Sequence, residues 1–484
     1  MLLSSTDTAG KRPAALRQLS ERLAGIPAND PMSSVSAIRE TLDACLAPEL
    51  EFSLAAESLS ELDELAQPFI RTMFRGFLQA VALKSERGEV LRAASVGFFT
   101  DFSSACAGLL TRGRYEQDDQ GGALALLATR LIRAESNRLK WDHLVYGPFD
   151  PQLWLRTGAV LLEAVEEGRH GVVVQLRSGR DTSTSSQREM TRAVALHCAG
   201  LDQLSPDLID VADRLIHYIL PALHVAPNPI EGARFFWVPG DGTAPSRIVR
   251  SQAVPGAWYF SAQHADAAML ELETMLGKGV VPGALDGGPG SRERLTAATR
   301  HLRRAWCDAP VKRRYRRHPM TGEVKAVKGL HAFQQALKDG GESAESWAMT
   351  DASVGGMGLT APVSRAQMPA IGELVAVRPE DSAEWRLGMV RRLNRLEAPD
   401  TFLGLETFAT APRLVRADDG RAPVDVLLCD PIRRGGILRV IAPVNTLRPG
   451  TPLFVAENGA IQKLKPLGSN WRGNEFEVRT YLVL

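Results

Sequence analysis

The hydrophobic period of this chain changes along its length, and that change bounds the architectures open to it. From about residue 14 to residue 224 the apolar residues recur at helical spacing. Phe69, Ile70, Met73, Phe74, Phe77, Leu78 and Val81 form one stripe, and Leu208, Val211, Leu215, Ile216 and Ile219 form another. Ser205-Pro206 suits the start of the second helix, since serine caps and proline fits the first helical position, and Pro221 can end it. Further helices are expected at 35–46, 90–112, 123–138, 153–167 and 186–199. No fixed-period repeat supports a solenoid.

Residues 228–260 change character. Aromatic runs Arg234–Val238 and Ala257–Ser261 flank a Gly/Pro-rich turn and read as strands. Helices at about 263–278 and from Ser291, a candidate cap, complete this stretch. From 320 the chain is mostly short strands: Leu374–Val377, Trp385–Leu393, Phe402–Phe408, Val426–Leu428, Leu438–Ile441 and Leu453–Val455. Such spacing suggests a small antiparallel barrel. Asn458-Gly459 between two apolar runs is a hairpin signal. The expected fold class is α+β, multidomain: a flexible tail (1–13), a helical domain (14–225), an α/β connecting region (228–306), a β-barrel domain (311–415), and a C-terminal part (424–484) that is either a second small barrel or an extension of the first.

The 484 residues are 44% apolar, enough for packed cores, and the formal net charge of +1 argues against a molecule built as a whole to bind polyanions. Charge is instead local. Arg292, Arg294, Arg300, Arg303 and Arg304 precede the run Lys312-Arg313-Arg314-Tyr315-Arg316-Arg317. Cys45, Cys106, Cys198, Cys307 and Cys429 are odd in number and scattered, so free thiols in a reducing cytoplasm are expected rather than disulfides or a zinc site. No secretory signal and no run of roughly 18 apolar residues is visible, so a cytoplasmic protein without membrane insertion is expected. His143, His197, His217 and His224 lack metal-ligand spacing. There is no Walker loop, no His-Glu-x-x-His and no Gly-x-Ser-x-Gly, and no Lys-Ser/Thr follows Gly355-Gly356-Met357-Gly358. These absences point away from an enzyme, and no cofactor or metal is expected.

Two stretches carry chemistry. The basic run contains an Arg-x-x-x-Arg pair, Arg313 and Arg317, although Lys312 and Arg316 have the same spacing. Asp351-Ala352-Ser353-Val354-Gly355-Gly356 fits Asp-x-Ser-x-x-Gly. In this order, ahead of strands, they resemble the motifs of the PilZ domain, a bacterial receptor module for cyclic di-GMP. The resemblance covers about residues 311–415. It implies a split-barrel fold and a cyclic di-GMP site. There Arg313 would grip phosphate and a guanine edge, and Arg317 would stack on or bridge a base. Asp351 would read guanine N–H donors, Ser353 would hydrogen-bond the ligand and Gly356 would shape the strand turn. Arg314 belongs to the same set, with Lys312, Arg316, Gly355 and Arg391 in support. Such chemistry suits these residue types. Guanidinium forks onto phosphate and stacks on flat rings, a carboxylate only accepts, and glycine admits close backbone approach.

The expected function is a cytoplasmic signal receptor that controls a partner protein, reached through the helical half, with a motility, biofilm or exopolysaccharide output. Ligand would draw the arginine segment onto the barrel face. Two alternatives stand beside it: a PilZ-like scaffold that works by protein contacts without nucleotide, and a nucleic-acid or polyanion binder using residues 312–317. The second is disfavoured because Tyr315 is the only aromatic there. Thirty-three residues separate Arg317 from Asp351 and include an expected helix at Gly329–Lys338, which could frame the site or obstruct it. Alternation puts one of Arg391 and Arg392 toward the barrel face and the other away.

Overall fold

A computed structural model of the chain describes residues 14–27, 29–114, 121–176, 183–249, 254–308, 315–362, 367–396, 400–457 and 459–484. The expected tail 1–13, the residues Lys312, Arg313 and Arg314, and Asn458 lie outside the described residues. The chain divides into two compact units: residues 1–145, 149–201 and 206–310 in one, and residues 146–148, 202–205 and 311–484 in the other.

The first unit is mainly helical. Helices α1 (Ala14–Ala24), α2 (Pro31–Thr41), α3 (Phe52–Ala82), α4 (Arg87–Gly113), α5 (Gly121–His143) and α6 (Leu153–Glu166) are followed by the two-residue strands β1 (Val174–Gln175) and β2 (Ser183–Thr184), then α7 (Ser186–Cys198) and α8 (Pro206–Ile219). Next come β3 (His224–Ala226), β4 (Phe235–Trp237), β5 (Ser246–Arg247) and β6 (Trp258–Ser261), in the sheet order β3-β6-β4-β5, and helices α9 (Gln263–Gly277) and α10 (Ser291–Trp306).

The stripe beginning at Phe69 belongs to a longer helix than its period suggests, because α3 runs straight through Pro68. Proline removes a backbone bond and costs about 3 kcal/mol in a helix interior. Here the apolar face continues on both sides, with Phe52, Leu59 and Leu62 buried before Pro68 and Ile70, Met73 and Phe77 after it. Ser291 does not cap α10. Gly290 takes the capping position in a left-handed conformation, and the Ser291 hydroxyl accepts instead from the Gly287 N–H at 2.8 Å. By length and composition α4 could cross a membrane, but half of its apolar window is buried inside this unit, where it packs between α3 and α5.

Buried charge fixes the register of these helices. Arg192 on α7 reaches Asp213 on α8 at 2.9 Å, and Lys140 on α5 reaches Asp213 at 2.9 Å and Asp210 at 2.8 Å. Burial would push the Asp213 carboxyl up, but Arg192 and Lys140 hold it well below the usual carboxylate range. Arg130 pairs in the same way with Asp63 across α5 and α3. All five cysteines are free; Cys45, Cys106, Cys198 and Cys429 are buried and Cys307 is half-buried. Burial pushes the Cys45 thiol up to about 12.

The second unit holds two closed six-stranded antiparallel barrels. The first is built from β7 (His318–Lys328), β8 (Glu345–Ser353), β9 (Gly356–Pro362), β10 (Leu374–Pro379), β11 (Arg386–Arg395) and β12 (Asp400–Thr410), with α11 (Leu330–Asp339) between β7 and β8. The second is built from β13 (Arg413–Asp418), β14 (Pro423–Leu428), β15 (Ile437–Pro443), β16 (Leu453–Glu457), β17 (Ala460–Arg472) and β18 (Phe476–Val483). The C-terminal segment is therefore a barrel in its own right. β16 and β17 pair from Glu457 to Ala460, with Gly459 at φ 79° where the Asn-Gly signal lay. The expected α+β class, with a helical first half and antiparallel barrels after it, is the class observed.

One core cluster spans both barrels, beside a second cluster inside the second barrel. Leu330, Phe333 and Ala336 of α11 pack with Trp385, Leu387 and Met389 of the first barrel and with Leu427, Ile441, Phe476 and Val478 of the second. The Phe333 and Trp385 rings meet edge to face at 5.6 Å. Truncating Phe333 to alanine should cost about 3–5 kcal/mol. Because the cluster spans both barrels, hydrogen exchange should show protection falling together in β10 and β15. A loss confined to the first barrel would mean that the two unfold independently.

Candidate functional site

The loop and strand ends that carry the second motif meet the tail of the basic run at one end of the first barrel. β8 and β9 form a tight hairpin in which Ser353 pairs with Gly356, and Val354-Gly355 makes the turn. The start of β7 lies alongside, with His318 opposite Ala352 and Pro319 opposite Asp351. Arg317, the residue just before β7, is thereby delivered to Asp351. Its Nη1 donates to Asp351 Oδ1 at 2.8 Å, and the two side chains are 25% and 26% exposed. Ser353 Oγ donates to the Gly356 carbonyl at 3.3 Å.

Glycine is required at two places here for different reasons. A Cβ on Gly356 would collide with the Leu405 carbonyl of β12, so the backbone of β9 could not pair so closely with that strand. A Cβ on Gly358 would lie 2.7 Å from Asp351 Oδ2 and equally near Thr350 Oγ1, so its absence makes room for the carboxylate. Gly358 is itself paired with Gly404 of β12. Gly356, Gly358 and Gly404 thus leave a patch of bare backbone on this face of β9 and β12, overlaid by Arg317 and Asp351 at Gly356 and Gly358 and by Arg392 at Gly404.

Several residues join this end of the barrel. The ring of Tyr315 lies against Gly355, where an added Cβ would be 3.1 Å from Tyr315 Cδ2. Glu406 sits opposite Gly356 on β12 and takes Arg391 Nε at 2.5 Å. Arg391 and Arg392 do not alternate in and out. A bulge between Val390 and Arg392 places two residues against one on β12, and both arginines are exposed. Arg391 turns to Glu406 and Arg392 to Asp202, which is counted with the second unit. Arg316 has no ion pair among the described residues, and Lys312, Arg313 and Arg314 lie outside them. The structure therefore brings together Arg317, Asp351, Ser353, Gly355 and Gly356, with Arg391 reaching the same strand edge through Glu406. Glu406 and Tyr315 were not singled out in the sequence. Their place depends on strand register and on a loop path, neither of which leaves a local signal.

The expected helix between the motifs is α11, and it neither frames nor covers this end. It leaves from the far end of β7, about 30 Å of strand away, and packs into the junction of the two barrels. Among the described residues, no three His, Cys, Asp or Glu side chains are grouped to hold a metal.

A family match falls on the helical half. Residues 15–228 match a cyclic di-GMP receptor family. The family model is described as the N-terminal domain of the cyclic-di-GMP receptor FimW, and it covers less than half of the chain. The match ends before the barrels begin and is not to the PilZ domain. No curated protein and no solved structure matches the chain.

Replacing Gly356 with alanine should destabilise the first barrel by about 1–3 kcal/mol, because the clash is with backbone that cannot rotate away. Ser353→Ala, which removes one half-buried hydrogen bond, should cost no more than about 1 kcal/mol. Paired thermal melts check the order. Equal losses would show that the close approach of β9 to β12 is not the constraint at this hairpin.

Proposed function

We propose that the protein is a cyclic di-GMP receptor of PilZ type, with its ligand site at the β8–β9 end of the first barrel. What supports this is the grouping of Arg317, Asp351, Ser353 and Gly356 at one barrel end, in a chain whose helical half is similar to a cyclic di-GMP receptor domain. The grouping matches the chemistry of that ligand. Two phosphates call for guanidinium groups, and guanine offers N–H donors to a carboxylate and O6 and N7 acceptors to an arginine.

The Arg317–Asp351 pair is the resting arrangement. A pair this accessible to water is worth about 0–1 kcal/mol, so breaking it is cheap. Ligand would take Arg317 onto a guanine or phosphate and leave Asp351 to accept from a guanine edge. Arg313, four residues earlier, would close over the second phosphate, with Arg314, Arg316 or Lys312 alongside. The arginine segment spans the point in sequence where the helical unit ends and the barrel unit begins. Ligand binding therefore acts on the covalent link between the units, which is a route from the barrel to the helical half. Such a route works only if ligand prefers one arrangement of the link over another. The output would be a cytoplasmic protein partner in motility, surface attachment or exopolysaccharide control, engaged through the helical half. No catalytic role is assigned.

Calorimetric titration of the full chain tests this. Cyclic di-GMP should bind saturably. Arg317→Ala and Arg313→Ala should each weaken it at least a hundredfold while the circular dichroism spectrum and melting temperature stay unchanged. Linear pGpG should show no binding that Arg317→Ala removes. Unchanged cyclic di-GMP affinity in both variants rejects the site. Absence of binding to a folded wild-type chain leaves the scaffold reading in its place.

A further inference from the structure

The helical unit contains a cleft that the barrel site does not use. It is an open cavity of about 470 Å³ walled by α3, α5 and α8, with Phe99 of α4 and Arg192 of α7 behind. A volume of this order suits a small molecule. We propose that this cleft is a second ligand site, for a mononucleotide.

Charge is the first argument. The lining carries Arg71, Arg75, Arg133, Lys140 and Arg192 against only Asp210 and Asp213. The deep cations are satisfied within the protein. Lys140 holds Asp210 and Asp213, Arg192 holds Asp213, and Arg133 holds Glu189 at 3.0 Å. Arg71 and Arg75 are different. They are exposed, lie one turn apart on the same face of α3, and have no carboxylate partner among the described residues. Like charges at this spacing repel, so an anion from outside would relieve the repulsion between the pair on the lip. Two guanidinium groups one turn apart fit a phosphate chain, which they can grip by forked hydrogen bonds.

The second argument is the wall beside them. Phe74, on α3 between the two arginines, is half-buried, and its ring packs edge to face with Trp141 at 5.4 Å. Lys140 Nζ lies 4.5 Å from the Phe74 centroid and fixes the ring from behind. Polar groups suited to a base edge are within the same cleft. Asn137 accepts from Arg192 through its Oδ1 at 3.0 Å, which leaves its amide N–H groups without a partner among the described residues. Gln67 donates through Nε2 to Asp63 at 2.6 Å, which leaves its Oε1 as a free acceptor there. Anion grip, planar wall, donor and acceptor thus line one cavity, which is the composition of a nucleotide site.

Equilibrium binding of GTP and ATP to the full chain tests the proposal, with tripolyphosphate as the polyanion control. GTP or ATP should bind saturably, at least tenfold tighter than tripolyphosphate. The double variant Arg71→Glu/Arg75→Glu, altered only at exposed positions, should keep its circular dichroism spectrum and lose at least tenfold in nucleotide affinity. Arg317→Ala should leave that affinity unchanged, which separates this site from the barrel site. Loss of cyclic di-GMP binding in the Arg71/Arg75 variant, with Arg317→Ala unaffected, would assign the cleft to the cyclic dinucleotide and overturn the mononucleotide proposal together with the barrel site. Failure of both nucleotides to saturate the wild type, equal affinity for tripolyphosphate, or no effect of the double variant would each overturn it.

Discussion

The close approach of β9 to β12 is the constraint on which the barrel end depends. Gly356 meets the Leu405 carbonyl, and Gly358 faces Gly404 across the ladder. A side chain at Gly356 would push β9 away from β12, while one at Gly358 would displace the Asp351 carboxylate. The absence of both leaves bare backbone on the outer face, and the long side chains of Arg317, Asp351 and Arg392 lie over it. The same glycines therefore serve two ends. They allow the sheet to close, and they leave a flat floor where a planar group could replace the side chains now resting there.

A different constraint organises the helical unit. Charges placed between helices must be paired, because a lone buried charge costs several kcal/mol. Asp213 is shared by Arg192 and Lys140, which fixes α5, α7 and α8 relative to one another. Asp63 and Arg130 do the same for α3 and α5. The cleft is the space between these tied helices. Its deep cations are committed to holding the helices, so only the lip arginines, Arg71 and Arg75, remain to act on anything else.

How much of this was readable in the sequence follows from how local each signal is. The helices α4 to α8 follow the apolar period closely, and strands β10, β11, β12, β14, β15, β16 and the start of β17 coincide with apolar runs, whereas β13 and β18 do not carry such a signal. β7 was not foreseen, because its outer half from His318 to Glu323 is exposed and only Val324, Ala326 and Val327 are buried. α3 was foreseen only after Pro68, since proline normally breaks a helix and the packing that overrides it is tertiary. At the site, Asp351, Ser353 and Gly356 are neighbours in sequence and stayed neighbours in space. The register that brings Glu406 beside Gly356, and the bulge that exposes both Arg391 and Arg392, are properties of strand pairing across more than 40 residues and of one extra residue in a ladder. No local pattern encodes either. The charge ties of the helical unit are hidden for the same reason, as Arg192 and Asp213 stand 21 residues apart on separate helices.

The resting pair at the barrel end bears on how a receptor of this kind would work. If Arg317 were buried without a partner, the ligand-free barrel would carry a large penalty; if it were held deep in a dry salt bridge, ligand could not displace it. At a quarter exposure Asp351 satisfies Arg317 at little net energy. A hydrogen bond between arginine and a phosphate or a guanine edge is charge-assisted and contributes about 1.5–3 kcal/mol. Guanine N–H groups would then replace the guanidinium at Asp351, so neither charge would be left unpaired in the bound state. In this reading the exchange would be favourable in both halves. Arg317 lies close in sequence to where one unit ends and the next begins, so its change of partner would be a difference between the two states that a partner protein could distinguish.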